Sequence, residues 1–597
     1  MIPSSRLQIH GHPNENGKVI VYWMTAARRP YWNHALQHAI DLARTNELPL
    51  VVIECLALNH RWANDRISTF VLQGMADNRE SFSGSGVTYI PYVETKKKEA
   101  SGLLRGWLQH ARACVIDDYP TYYPKHVLNT AIAVQPCEVH VVDSNGFMAM
   151  RAQGRDFSTA YSLRRHLHKT IREHMHEFPL ARPLDTTGDL PTLAAGEAKA
   201  VFDETNTPMT PYEFIWRVAE GGDVGQNALS TLSIDHAVRP VLGKRGGHRE
   251  GRRRWKEFFG ERLSNYHEKR NHPQERGASG LSPWLHFGHI SVHSILHDVF
   301  THHQWDVALV NMPNDGRRQG WWGLPEPVEA FLDQIITWRD IGFIHCAMVE
   351  NHTEYESLPQ WALTTLAEHA NDERPYLYTL DELETASTHD PLWNAAQNQL
   401  RQEGIIHNYL RMLWGKKILE WSPDPKTAME WMIALNDRWA LDGRDPNSYT
   451  GIGWVLGKFD RGWTERAVYG KIRCMTSAST ARKFSTKAYV EKYTEGSNQT
   501  TLLGSGPSFI QPTNEEATCP PTNIRPPTMP LQRTSGRGTT APERFGASCL
   551  NGKASNRSKQ GPLLMERKPA SASVWGRFGP CGWPATTVLF RVKSSAM

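Results

Sequence analysis

The stretch HNYLRMLWGKKILEW, residues 407–421, holds Trp414 and Trp421 seven positions apart, and Trp393 lies upstream in HDPLWNAA. Seven residues are about two helical turns, so Trp414 and Trp421 share a face with their Cα atoms ~10 Å apart. Rings in that pattern either pack a helical core or carry something, and the chain holds 21 tryptophans in all. Arg411 precedes the pair and Lys416 and Lys417 interrupt it, which is unusual company for a plain core. RGASGLSPW (276–284) places Ser279, Gly280, Leu281 and Ser282 ahead of Pro283 and a helical pattern. Hydroxyls and backbone N–H groups at such a start suit a pyrophosphate; Ser before a first-turn Pro is also ordinary capping. Asp442 in LDGRDP could be a turn residue and no more. Arg461, Arg466, Lys471 and Arg473 interleave with Trp463 and Tyr469, which suits phosphate contact or a solvated face. His286, His289, His293 and His297 recur at helical spacing, yet no carboxylate or cysteine completes a ligand set, so no metal is expected.

Those residues need elements to hold them. The chain of 597 residues, 40% hydrophobic and 22% charged, has room for two or three domains. Near the N-terminus, VIVYWM (19–24), LPLVVIECL (48–56), VTYIPYV (87–93), ACVIDDY (113–119) and EVHVVDS (138–144) read as buried strands. Helical stretches such as YWNHALQHAIDLART (31–45) separate them. This rhythm predicts an α/β domain over 17–145, a doubly wound parallel sheet with helices on both faces. No GxGxxG follows the first strand, so the dinucleotide fingerprint is missing. Residues 146–210, polar and rich in proline, predict a connector draped over the surface. Over 211–493 the strand pattern gives way to helical periodicity, as in AMEWMIALNDRWAL, and predicts a second, all-helical domain. The Pro/Ser/Thr/Gly-rich residues 494–597 predict a disordered basic tail.

Charge and cysteine usage narrow the class. The formal charge is +5, but twelve Lys/Arg against four Asp/Glu from Thr501 onward give that part +8, leaving about −3 on residues 1–500. Any nucleic-acid contact in the folded part therefore rests on a local patch. The eight cysteines are scattered without a CxxC, which fits reduced thiols rather than a disulfide scaffold. An apolar signal core and a run long enough to span a bilayer are both missing, so the expectation is a soluble, cytoplasmic protein; a monomer is expected as well.

HDPLWNAAQ, RMLWGKKILEW, LNDRWALDGRDPNSYTGIGW (435–454) and GWTERAVYGKIRCM together resemble class II cyclobutane pyrimidine dimer photolyases. GLSPWLHFGHIS (280–291) and VIVYWMTAARR (19–29) are similar to the same family, so the resemblance runs in order over about 17–493. It implies an N-terminal antenna domain with a second chromophore of unknown identity, and a helical domain binding FAD. It also implies a function: light-driven electron transfer from reduced FAD to a flipped-out dimer in UV-damaged DNA. Residue by residue, it implies FAD contacts at Tyr266, Ser279, Gly280, Leu281, Ser282, Arg411, Asp442 and Arg444. An asparagine facing the flavin falls at Asn436, with Asn447 as the alternative. Trp393, Trp414 and Trp421 match a relay of rings that carries electrons from the surface to oxidised flavin. Trp338 and Trp454 match rings stacked against the extruded lesion, and Arg270 and Arg473 match DNA contacts. His289 or His293 would reach the flavin phosphates.

One position departs from that pattern. The family's glutamate, which hydrogen-bonds a dimer carbonyl, falls on Gln334, preceded by Asp333. An amide donates a hydrogen bond but supplies no proton. GFIHCAMVEN downstream differs from the family as well. A cryptochrome-like blue-light receptor that binds FAD without repairing DNA is the alternative these changes favour.

Overall fold

The computed structural model describes residues 1–310 and 312–494. Residues 495–597, nearly all of the stretch expected to be a disordered tail, lie outside the described residues.

Six strands build one sheet: β1 (Leu7–His10), β2 (Val19–Met24), β3 (Leu50–Leu56), β4 (Thr88–Val93), β5 (Ala111–Asp117) and β6 (Glu138–Val142). Helices α1 (His34–Asn46), α2 (Asp65–Phe82), α3 (Leu103–His110) and α4 (Tyr122–Val134) alternate with β2 to β6. The strand order is β1-β6-β5-β2-β3-β4. All of β2 is buried, which is why its apolar run is continuous rather than alternating. It pairs in parallel with β3 and β5, Val21 lying opposite Val51 and Cys114. The sheet is not wholly parallel: β1, which lies before residue 17, pairs antiparallel with β6 at the edge, Leu7 opposite Val142. Its four residues are too short and polar to show a strand period.

The strand order reverses between β2 and β5, the place where open α/β sheets usually bind ligands. Here a carboxylate fills it. Asp117 accepts the backbone N–H groups of Thr25, Ala26 and Ala27 at 2.8, 2.8 and 3.0 Å and the Tyr22 hydroxyl at 2.9 Å. Beyond it, Arg29 donates to the Gly288 carbonyl at 2.8 Å. Gly288 (φ +67) approaches so closely that a Cβ would sit 1.7 Å from the Ala26 carbonyl oxygen.

The connector is more structured than its composition predicts. Residues 160–174 and 195–204 are helices, α5 (Ala160–His174) and α6 (Ala195–Glu204). Leu163, Leu167 and Ile171 line one face of α5 and share a core with Phe147, Trp255, Phe331 and Ile344. That i, i+4, i+8 pattern sits among arginines and histidines that mask it. From Tyr212 to Tyr493 the described residues form helices and no strand. Three Asp-Pro pairs start helices here. Asp390, Asp424 and Asp445 each accept a backbone N–H at the N-cap of Pro391–Glu403, Pro425–Trp439 and Pro446–Val455, with Pro in the first turn. These helices carry Trp393, Asn436 and Trp454.

Candidate active site

A cleft of about 1310 Å³ opens in the helical half. Its wall holds Tyr266, Ser279, Gly280, Leu281 and Ser282, with the cations Lys244, Arg254 and Arg262. The short helix Ser282–His286 begins there with Pro283 in its first turn. Ser282 is not its cap, and its hydroxyl makes no hydrogen bond to another described residue. Tyr266 is buried edge-on to Phe331, ring centroids 5.6 Å apart, and the Arg270 guanidinium lies 5.7 Å over its ring.

Arg411 and Asp442 line the cleft as an ion pair, Nη2 to Oδ1 3.4 Å. Asn436 stands one step behind them. It is buried, does not line the cleft, and its side-chain oxygen accepts from Arg411 Nη1. Asn447 does line the wall, its amide held by Asp445 at 3.1 Å. Arg444 needs correcting: its side chain does not reach the cleft. It folds back in the left-handed region (φ +64), donating to the Asp437 carbonyl and, at 3.2 and 3.3 Å, to those of Ala440 and Leu441. It clamps the turn that presents Asp442.

Trp338 and Trp454, on the same wall, stack on each other, centroids 4.8 Å apart and planes 21° apart. Trp338 closes a π-helical turn, Asp333–Trp338, inside the helical rod 326–348. Such turns recur at functional sites, and this one puts Asp333 and Gln334 on the cleft wall together. Asp333 pairs with Arg164 of α5 at 3.1 Å, while burial pushes its carboxyl above the usual range. Arg270 and Arg473 also line the cleft. Arg473 and Arg461 flank the exposed ring of Trp463 at 5.0 and 5.5 Å, but of this group only Arg473 lines the cleft; Arg461, Arg466 and Lys471 lie off the wall.

The three remaining tryptophans are buried beneath the cleft, not in its wall: Trp393 is 0%, Trp414 2% and Trp421 1% exposed. The Trp393 and Trp421 rings lie edge to face at 5.5 Å. Trp393 Nε1 donates to the Trp414 carbonyl at 3.0 Å, and Trp414 Nε1 to Gln397 Oε1 at 2.9 Å. Aromatic contact continues outward from Trp421 to Tyr378 at 5.4 Å and His389 at 5.2 Å. His389 stacks at 3.7 Å on Tyr376, which is 48% exposed.

The histidine row does not converge. His286 bonds Asp445, while His289 accepts from the Gly247 N–H and His293 packs against His34. Neither His289 nor His293 lines the cleft, so neither reaches a phosphate there. Among the described residues no cluster could hold a metal ion.

Comparison with known proteins decides the family. The chain is 31% identical over 497 residues to the deoxyribodipyrimidine photo-lyase of Methanothermobacter thermautotrophicus, covering 82% of this chain and 98% of that protein. The chain belongs to the deoxyribodipyrimidine photo-lyase family. The photo-lyases of Potorous tridactylus and Oryza sativa are also 31% identical, each over 81% of this chain and over 82% and 88% of their own lengths. A bacterial class III photolyase from Agrobacterium tumefaciens shares the fold at a TM-score of 0.52 and 15% identity, over 80% of this chain and 87% of that one. No protein-family model matches the chain.

Photo-lyases of this family bind FAD, and the cleft fits it. The volume exceeds the ~300–1,000 Å³ of an ordinary small-molecule pocket. The donor set is what a dinucleotide with a pyrophosphate needs: seryl hydroxyls, cations and a guanidinium held by a carboxylate in one cleft. Arg164, from the connector, lines the wall without a signal in the sequence. Lys416, noted only as company for the tryptophans, lies on the wall, and Asn447, the alternative asparagine, lines it where Asn436 does not.

Proposed function

We propose that this chain repairs cyclobutane pyrimidine dimers in UV-damaged DNA by light, as a deoxyribodipyrimidine photo-lyase. One juxtaposition carries the reading: the stacked pair Trp338 and Trp454 shares a single cleft with Ser279, Ser282 and the Arg411–Asp442 pair. A dimer must leave the duplex to be reached, and an aromatic platform offsets the lost stacking by ~1–3 kcal/mol per base. When bound, reduced FAD supplies under light the electron that opens the cyclobutane ring and then takes it back.

The chain's own residues do the rest. Trp338 and Trp454 hold the extruded bases, and Gln334 donates its amide N–H to a dimer carbonyl. Arg270 and Arg473 take flanking phosphates, which position the strand without reading sequence. Tyr266 and Ser279–Ser282 hold the cofactor, and Arg411, steadied by Asp442 and Asn436, sets a fixed positive charge beside it. Trp393, Trp414 and Trp421 pass electrons inward to oxidised cofactor. The reading assigns 17–145 to an antenna domain with a second chromophore of unknown identity, 146–210 to the connector and 211–493 to the catalytic domain. It places a monomer in the cytoplasm, on the nucleoid when DNA-bound, or in the nucleus of a eukaryotic cell.

A FAD-binding light receptor without repair is the second reading, favoured by Gln334 and the differing stretch GFIHCAMVEN, while the curated relatives are named photo-lyases. The test is to illuminate the reduced protein with an oligonucleotide containing a thymine dimer. Restored thymines support repair; bound, photoreducible FAD with no restored thymine sinks it in favour of the receptor.

A further inference from the structure

Lys416 is an unusual residue to find where it is. It lies between Trp414 and Trp421 on the helix Asn408–Trp421, is 1% exposed, and lines the cleft, as Trp454 does. Its ammonium donates to the carbonyl of Val455, the residue after Trp454. Among the described residues it has no other hydrogen-bond acceptor and no ion pair. The charged and titratable groups around it are Asp460, Arg473 and Cys474, with only Asp460 acidic at neutral pH and beyond ion-pair distance. Its neighbour Lys417 shows the ordinary solution, a carboxylate partner in Glu420 at 2.6 Å.

A buried cation without an anion is costly, and proteins retain one chiefly where negative charge comes to meet it. On the repair reading the exposed Arg473 takes a flanking phosphate. The part of the lesion that passes Trp454 is then the uncharged pair of pyrimidine rings, on which negative charge appears only during reaction. Stabilising charge that develops in the transition state raises the rate, whereas stabilising the ground state does not. Gln334 offers only a neutral donor to that charge.

We propose that the Lys416 ammonium stabilises the negative charge placed on the pyrimidine carbonyls during dimer splitting, in the role an acid at position 334 would fill. The proposal rests on the repair reading. One electron arrives on the dimer, the two carbon–carbon bonds joining the pyrimidines break, and the electron leaves; the ammonium keeps its proton throughout. Burial lowers the Lys416 pKa to about 7, so the charge it brings is present in acid and fades as pH rises.

The experiment follows dimer splitting after a flash in the full, FAD-loaded, reduced chain bound to dimer-containing oligonucleotide, from pH ~6 to ~9. The wild-type rate should fall as pH rises. Lys416→Met should be about tenfold slower in acid and flat with pH, while Lys416→Arg, charged throughout, should be fast and flat. Lys244, also on the cleft wall, has a pKa that burial lowers to about 8, so it titrates in the same pH range but is untouched by both variants. Without DNA or light, Lys416→Met should raise Tm, because it removes an unpaired buried charge. A wild-type rate flat in pH, a Met variant with the wild-type profile, or an Arg variant as slow as Met would overturn the proposal. No splitting by wild type at any pH would instead bring down the repair reading itself.

Discussion

Replacing Trp414 by Phe separates the two things this ring can be. The indole Nε1 is the donor to Gln397 Oε1, and Gln397 is fully buried with its own amide committed to the Glu384 carbonyl. Phe leaves that oxygen without a donor, at ~1–3 kcal/mol for an unsatisfied buried acceptor. The smaller ring leaves a cavity that costs ~1 kcal/mol more. The expected loss is therefore ~2–4 kcal/mol, inside the ~5–15 kcal/mol that keeps a domain folded. Denaturant unfolding measures it directly, as a lower midpoint with unchanged slope.

Electron relay predicts something that packing does not. Benzene is much harder to oxidise than indole, so light-driven reduction of oxidised FAD should stop in Trp414→Phe while FAD stays bound. Gln397→Leu in that background removes the orphaned oxygen and should recover part of the stability. It should restore no photoreduction. Absorbance of the bound flavin under illumination decides. Photoreduction at the wild-type rate in Trp414→Phe refutes the relay and returns the ring to the core; recovery in the double variant shows that the defect was structural.

Three further outcomes follow from the geometry. Arg473→Ala should weaken binding to dimer-containing DNA and flatten its salt dependence by about one phosphate, since Arg473 is exposed at the cleft wall with no carboxylate partner among the described residues; titration at several salt concentrations checks it, and an unaltered slope removes Arg473 from the interface. Gln334→Glu should raise the repair yield per absorbed photon and lose that benefit at high pH, because the glutamate helps only when protonated and a partly buried site beside Asp333 favours that form; a yield unchanged or lower at every pH refutes it. Burial holds His34, His289 and His293 neutral and well below the usual imidazole range. Their unfolded forms take up protons below pH ~6.5, so stability is full above that pH and falls on acidification by up to ~1.4 kcal/mol per pH unit for each. His34→Leu should reduce that slope by one histidine, as measured by unfolding at pH ~5 and ~7; an unchanged slope means His34 is protonated in the folded chain.

The fold was legible where burial is continuous. The runs at 19–24, 48–56 and 87–93 have no polar face because strands between two helical layers need none, and they match β2, β3 and β4 almost end to end. β1 was not legible, since four residues at an edge with two exposed sites carry no period. The connector misled for the opposite reason. In α5 the buried apolar residues are separated by Arg164, Arg165 and His166 and share their face with the buried His168 and His174, so the apolar stripe is narrow within a polar composition. Asp-Pro also reads two ways. In isolation it signals a turn, and only the following ten or so helical residues show that Asp390, Asp424 and Asp445 are caps.

In the site, residue type was legible and partnership was not. Trp338 and Trp454 lie more than a hundred positions apart, and nothing local requires their rings to meet at 4.8 Å. Arg444 illustrates the limit from the other side. Its neighbours in LDGRDP mark the right loop, yet its φ of +64 turns the side chain back onto three carbonyls, leaving Asp442 to face the cleft. Lys416 marks the tryptophan helix as unusual in the sequence, but its own place is not legible there: the helix brings it, rather than either ring, to the wall. Helical periodicity assigns a face to each residue, but which face meets a cavity depends on the neighbouring helices, and those are chosen by packing across the whole domain. A lysine with no partner in sequence is ordinary; a lysine with no anion partner in a folded interior is informative, and that distinction exists only in three dimensions.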